Sequence, residues 1–112
     1  MLVLNRFLVP SDASAFTERG HAALGALAAC PGYVSGRLTR ALDDPAHWTL
    51  VTEWESVGAY RRALGTFDVK VHATPFLSES RDEPSAFETL ASAAPGGPVT
   101  VEASDRAAEP WR

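Results

Sequence analysis

The start of the chain carries an almost unbroken apolar pattern that is typical of a β-strand. Alternate positions are apolar on both faces, Leu2, Leu4 and Leu8 on one side and Val3, Phe7 and Val9 on the other. This pattern predicts a strand over residues 2–9 that is covered on both faces. Pro10 ends the strand, because proline has no N–H to donate to a sheet.

Asn5 is the exception in this strand, since it shares a face with Val3, Phe7 and Val9. Burying a primary amide without hydrogen-bond partners costs about 1–3 kcal/mol. A bound ligand would supply partners, and so would a backbone carbonyl or an internal water. Asn5 is therefore a candidate site residue, and simple satisfaction of its amide is the structural alternative.

A helical pattern follows the first strand. Apolar or small residues recur at three- and four-residue steps, at Ala13, Phe16, Gly20, Ala23 and Leu27. This stripe predicts an amphipathic helix that Ser11 caps and that runs to about Ala29. The proline and glycine of "CPG" at 30–32 stop it.

The middle of the chain predicts a hairpin and a second helical region. Residues 33–42 and 46–54 are strands joined by the turn "DDP" at 43–45. Ser56 caps a helix through about Leu64, Gly65 interrupts it, and a helical piece over 68–73 runs up to Pro75. "SAFETL" at 85–90 is a short fourth strand.

The element order β-α-β-β-α-β is that of the ferredoxin-like α+β fold, an antiparallel sheet with both helices on one face. Strands 2–9 and 46–54 are apolar on both faces, so the uncovered face would be a large exposed apolar patch. Two sheets packed face to face would remove it. We therefore expect a homodimer formed through the sheet.

The last part of the chain differs in composition. Residues 1–90 form the predicted domain, whereas 91–112 are rich in Ala, Pro, Gly and Ser. The predicted tail is mobile or lies on a neighbouring surface, and Trp111 is a residue by which it could dock.

Composition excludes several classes of protein. The net charge is −4 and no basic face is apparent, which argues against nucleic acid as a partner. A single cysteine, Cys30, excludes an intrachain disulfide and a cysteine-rich metal site. No apolar run is long enough for a membrane span and no signal segment is recognisable, so the cytoplasm is the expected location.

Several short motifs together resemble one family. They are PGY at 31–33, "LVTEWES" at 50–56, "AYRRAL" at 59–64 and a helical stretch that ends in His72. Residues 1–90 are similar to the antibiotic biosynthesis monooxygenase domain, a dimeric α+β barrel of ferredoxin-like protomers. The resemblance implies one of several activities, among them cofactor-independent oxidation of polyketide phenols to quinones, and haem degradation. Fold alone does not choose among them.

The haem-degrading branch of that family bears on Asn5. The resemblance places Asn5 on the branch's strand asparagine and His72 on its iron-binding histidine, whereas Ala63 occupies the position of its tryptophan. Because that tryptophan distorts the porphyrin, its replacement argues against haem breakdown more than against haem binding.

Other residues are candidates for the walls and donors of a pocket. They are Trp48, Trp54, Tyr60, Phe67 and Phe76, with Arg37 as a cationic donor. Core packing is the structural alternative for the aromatic residues, and a solvated position is the alternative for Arg37 and for His72.

Three functions follow from these features. The first is a cofactor-independent monooxygenase that acts on a small aromatic or polyketide-like phenol, with Asn5 as a donor and His72 as the base. The second is haem binding through His72. The third is a dimeric small-molecule carrier without turnover.

Overall fold

The computed structural model describes residues 1–104. The elements in chain order are β1 (Leu2–Leu8), α1 (Ser14–Ala28), β2 (Tyr33–Arg40), β3 (His47–Trp54), α2 (Val57–Leu64), α3 (Phe67–His72), α4 (Thr74–Leu77), β4 (Ala86–Phe87), β5 (Ala91–Ser92) and β6 (Thr100–Val101).

The main sheet has four strands in the order β2-β3-β1-β4, and each neighbouring pair is antiparallel. β1 and β2 both pair with β3, so α1 is a crossover between two parallel strands that are one strand apart. This topology confirms the predicted ferredoxin-like α+β fold.

One face of the sheet is covered by the helices and holds the core. In β1 it carries Val3, Asn5 and Phe7, which are all buried, and β3 adds Leu50, Thr52 and Trp54. The predicted alternation is therefore confirmed, and Asn5 lies on the covered face.

Three phenylalanine rings hold the helices against this face. Phe7 lies 5.2 Å from Phe16 of α1 and 4.7 Å from Phe76 of α4, measured between ring centroids. Such pairs each stabilise a core by about 0.5–1.5 kcal/mol beyond the burial of their area. The missing side chain of Gly20 lets α1 approach the Phe76 ring closely, because a Cβ there would lie 3.2 Å from that ring.

The helix starts agree with the sequence only in part. Ser56 caps α2 as predicted, and its hydroxyl accepts a hydrogen bond from the Ala59 N–H at 3.0 Å. Ser11 does not cap α1, which was predicted to begin there, because α1 begins at Ser14. Asp12 accepts the Ser14 N–H at 3.0 Å instead.

The last strand and the tail also differ from the prediction. β4 is two residues long rather than the six of the predicted strand 85–90. In the segment predicted as a tail, β5 and β6 pair as a small antiparallel sheet, with Ala91 opposite Val101. Trp111 lies outside the described residues.

The second face of the main sheet is open in the single chain. Its exposed apolar side chains include Leu2 and Leu8 of β1 and Phe87 of β4. Dimer formation through this face stays a prediction. Within residues 1–104, no helix has both the length and the apolar composition needed to cross a bilayer.

Candidate functional site

A cavity of about 580 Å³ lies between α2 and the β4 edge of the sheet. Its walls come from two elements and the start of the chain: Val57, Tyr60, Arg61 and Leu64 from α2, Ala86 and Phe87 from β4, then Glu88 and Met1. The volume suits a small aromatic ligand.

Helix α2 faces this cavity with one stripe and the core with another. Residues 57, 60, 61 and 64 are spaced as neighbours on one side of a helix, and all four line the cavity. Ala59 and Ala63 lie on the buried side. Sequence reasoning singled out Tyr60 but missed Arg61, although the spacing of this stripe was a signal that could have found it.

The turn before β2 sets how closely α2 approaches the sheet. Gly32 has a φ of +86°, and a Cβ at that position would lie 2.4 Å from the Cβ of Ala59. Glycine is required there because residues with a side chain disfavour positive φ. It is also required because any Cβ at this position would collide with Ala59 of α2. The PGY motif therefore seats α2 beside the cavity.

Tyr60 presents the phenol of this cavity. It is half-buried, its ring lies 5.4 Å from that of Trp54, and burial raises the pKa of its hydroxyl above 10.0. The hydroxyl forms no hydrogen bond with a residue that the structure describes. Tyr60 thus offers a neutral donor to an oxygen atom of a bound molecule.

Asn5 is nearly buried, with 8% of its surface exposed. Among residues 1–104 its carboxamide has no hydrogen-bond partner. Every fully enclosed side-chain polar atom in that range has a hydrogen-bond partner. Because the amide of Asn5 has none, its atoms are not fully enclosed and still reach a small solvent-sized space. The amide is therefore free to bind a ligand or a water.

Asn5 and the cavity share one face of the sheet. Val3, which pairs with the cavity residue Ala86, lies two positions before Asn5 on the same face. Two residues of a strand span about 7 Å along its axis. Asn5 itself does not line the cavity.

The indole N–H groups of Trp48, a predicted donor, and Trp54, a predicted wall residue, both have partners within the protein. The Trp54 indole N–H donates to Thr52 Oγ1 at 2.9 Å, inside the core. The Trp48 N–H donates to the Pro45 carbonyl at 3.0 Å, and Arg40 lies over the Trp48 ring at 5.5 Å. The Trp54 ring packs against the Tyr60 ring, whereas Trp48 lines a separate cleft of about 290 Å³.

The remaining predicted wall residues do not meet at the cavity. Arg37 pairs with Val51 and is exposed on the open face of the sheet. Phe67 begins α3 and is 78% exposed, whereas Phe76 is buried in the aromatic core. Of the six predicted substrate-binding residues, Tyr60 alone lines the cavity between α2 and β4.

His72 is the last residue of α3 and is exposed. It does not line the cavity that contains Tyr60. Its role as a base stays a prediction.

The arrangement does not fit haem at this cavity. None of the cavity residues is a histidine, and Ala63 at the tryptophan position is buried against the core. Within the described part of the chain, no three His, Cys, Asp or Glu side chains are grouped as metal ligands.

Comparison with protein families gives a match to the model described as antibiotic biosynthesis monooxygenase, over residues 1–74. A comparison with curated proteins gives no match.

Solved structures share the fold over most of their length. SnoaB of Streptomyces nogalater, a cofactor-independent oxygenase, is 28% identical, and the match covers 80% of this chain and 94% of SnoaB with a TM-score of 0.63. Rv0793 of Mycobacterium tuberculosis is 23% identical, with 96% and 97% of the two chains covered and a TM-score of 0.60. A conserved protein of Methanosarcina mazei is 19% identical, with 76% and 84% covered and a TM-score of 0.62.

Proposed function

This chain belongs to the antibiotic biosynthesis monooxygenase family, and from that premise we propose that it is a cofactor-independent monooxygenase. The substrate is a small aromatic or polyketide-like phenol, which dioxygen oxidises to a quinone. The similarity to SnoaB supports the type of reaction.

The observation that carries the proposal is the amide of Asn5, which has no partner among residues 1–104 and lies on the same sheet face as Ala86 of a cavity of aromatic size. A sequence selected for stability alone would favour an apolar residue at a position of the core face that is 8% exposed. A polar group kept at such a position is expected at a functional site.

The reaction asks the protein for binding and for charge stabilisation. The phenol loses a proton, and its anion transfers electrons to dioxygen and combines with it to a hydroperoxide. Loss of water then leaves the quinone, so that one phenol and one O₂ give one quinone and one H₂O. Leu64 and Phe87 offer apolar surface to the ring of the anion.

Tyr60 and Asn5 are the two neutral donors proposed to hold oxygen atoms along this path. Tyr60 lines the cavity, and Asn5 lies on the same face of the sheet as the cavity residue Ala86. In a site of low polarity such donors stabilise a developing anion far better than they would in water. The proton leaves to His72, the predicted base, or directly to solvent, and the His72→Ala variant distinguishes these routes.

Oxygen uptake tests the proposal. Purified protein without added flavin, haem or metal is mixed with hydroxylated naphthalenes and anthrones, and an oxygen electrode follows the reaction. We expect one O₂ consumed per quinone formed, with no oxygen returned when catalase is added. Asn5→Leu should lower the rate at least tenfold, as expected for loss of a transition-state hydrogen bond, while Arg62→Gln on the exposed side of α2 should leave the rate unchanged.

The other two functions are outcomes of companion measurements. A Soret shift with hemin that His72→Ala abolishes would favour haem binding. Tight binding of the phenols without any oxygen uptake would favour the non-catalytic carrier.

We also propose that the open sheet face forms a homodimer, because it leaves Leu2, Leu8 and Phe87 in water. Leu4→Glu, in the middle of that face, should convert the dimer to a monomer in analytical ultracentrifugation. Leu42→Glu is the matched control, since Leu42 is fully exposed in a loop. A wild-type protein that sediments as a monomer would contradict the proposal.

A further inference from the structure

We infer that the cavity beside α2 takes an aromatic ligand that carries a carboxylate, and that Arg61 binds this carboxylate. The inference rests on the proposed function for the aromatic character of the ligand. It adds the charge of the ligand and a specificity-determining residue.

The position of Arg61 on α2 is the first observation. The cavity-facing stripe consists of Val57, Tyr60, Arg61 and Leu64, and Arg61 is its one charged member. Arg61 is exposed, so its long stem borders the cavity while its guanidinium brings a fixed positive charge to the rim.

The guanidinium of Arg61 is uncommitted. It forms no ion pair or hydrogen bond with any residue in the range 1–104. Glu88 lines the same cavity, but it lies beyond ion-pair distance of Arg61 and accepts a hydrogen bond from the Ser104 hydroxyl at 2.5 Å. This hydrogen bond leaves the negative charge of Glu88 in place, and Arg61 is the one cationic side chain among the described residues that line the cavity.

The chemistry of the walls selects the ligand class. A guanidinium binds a carboxylate through two parallel hydrogen bonds, which fixes the orientation of the bound group as well as its charge. Leu64 and Phe87 offer apolar surface to a flat ring. Tyr60 and Arg61 are adjacent on one wall, so a hydroxyl and a carboxylate on the same edge of the ligand would meet both.

A matched pair of fluorescent probes tests the inference. 3-Hydroxy-2-naphthoate and 2-naphthol differ by the carboxylate, and their binding is followed by fluorescence titration without oxygen. We expect the naphthoate to bind wild-type protein at least fivefold tighter than the naphthol, with the preference falling as salt is raised. Arg61→Gln should remove the preference and leave naphthol binding within twofold, whereas Arg62→Gln should retain it.

The outcomes separate this inference from the proposed function. Equal affinity of both probes for wild-type protein, or a preference that survives in Arg61→Gln, would overturn the role of Arg61. A failure of both probes to bind would overturn it as well. A preference that depends on Arg61 without any oxygen uptake would refute the monooxygenase and leave the anionic ligand in place.

Discussion

Replacing Asn5 by leucine should make the protein more stable and less active. The side chain is 8% exposed and its amide has no partner among residues 1–104. Leucine has a similar size and needs no hydrogen bonds. Because the amide atoms of Asn5 still reach a solvent-sized space, the replacement removes part of the roughly 1–3 kcal/mol that a fully desolvated amide would cost. Some of this gain is lost to imperfect packing of the new side chain. We expect the free energy of unfolding to rise by about 1 kcal/mol.

Urea unfolding followed by tryptophan fluorescence measures this change. With a slope of about 1–2 kcal/mol per molar urea, the midpoint should rise by about 0.5–1 M. The melting temperature should rise by about 4 °C. Oxygen uptake on the same preparation should fall, so that stability and activity move in opposite directions.

Thr52→Val is the matched control on the same face of the sheet. Thr52 is also buried, but its hydroxyl accepts the Trp54 indole N–H at 2.9 Å. Its loss would leave that N–H unsatisfied and should destabilise the protein by about 1–3 kcal/mol. If Asn5→Leu destabilised the protein as much as Thr52→Val does, the Asn5 amide would be satisfied, and its value as a functional marker would be lost.

Three further predictions follow from the packing around α2. Burial raises the pKa of Tyr60, so the folded protein holds the phenol proton more tightly than the unfolded chain. The stability contributed by Tyr60 is then complete below pH 10.0 and is lost as the pH rises further. Raising the pH above 10.0 should therefore lower the free energy of unfolding of wild type more than that of Tyr60→Phe, as measured by urea unfolding. Gly32→Ala should lower the free energy of unfolding by roughly 2 kcal/mol or more in the same assay, since it adds a strained positive φ and a collision with Ala59, and an unchanged midpoint would contradict the close approach of α2. Ser56→Ala should cost about 1 kcal/mol because it removes the α2 cap, whereas Ser11→Ala should cost nothing measurable, and equal effects of the two variants in thermal melts would refute the cap assignment.

The elements of the fold were largely predictable from local patterns. The stripe of α1 (Phe16, Gly20, Ala23 and Leu27) is buried as predicted. The errors lie at element ends. α1 starts at Ser14 rather than at the predicted cap Ser11, because Asp12 satisfies its first N–H. β4 is shorter than predicted, and only Leu2 and Val3 of β1 pair with it.

The candidate site was predictable only residue by residue. Asn5 stood out because a polar amide interrupts an apolar strand, and Tyr60 because it is aromatic on a helix. Arg61 did not stand out, since an arginine on a helix usually faces solvent. The predicted donor Trp48 gives its N–H to the neighbouring Pro45 carbonyl, a contact that depends on how the turn before β3 folds.

The sequence by itself determined which way each side chain points from its own element, because strands alternate with period two and helices repeat every 3.6 residues. It therefore determined that Asn5 shares a face with Val3 and Phe7, and the packing of the helices decided that this face is the covered one. Only the tertiary structure decided which elements become neighbours. Pairing of β1 with both β3 and β4 brings Ala86 beside Val3, and the seat of α2 on Gly32 brings Tyr60 and Arg61 to the same hollow. These contacts join residues far apart in the chain, so they depend on the packing of the whole domain. The hydrophobic pattern of a single segment therefore does not predict them.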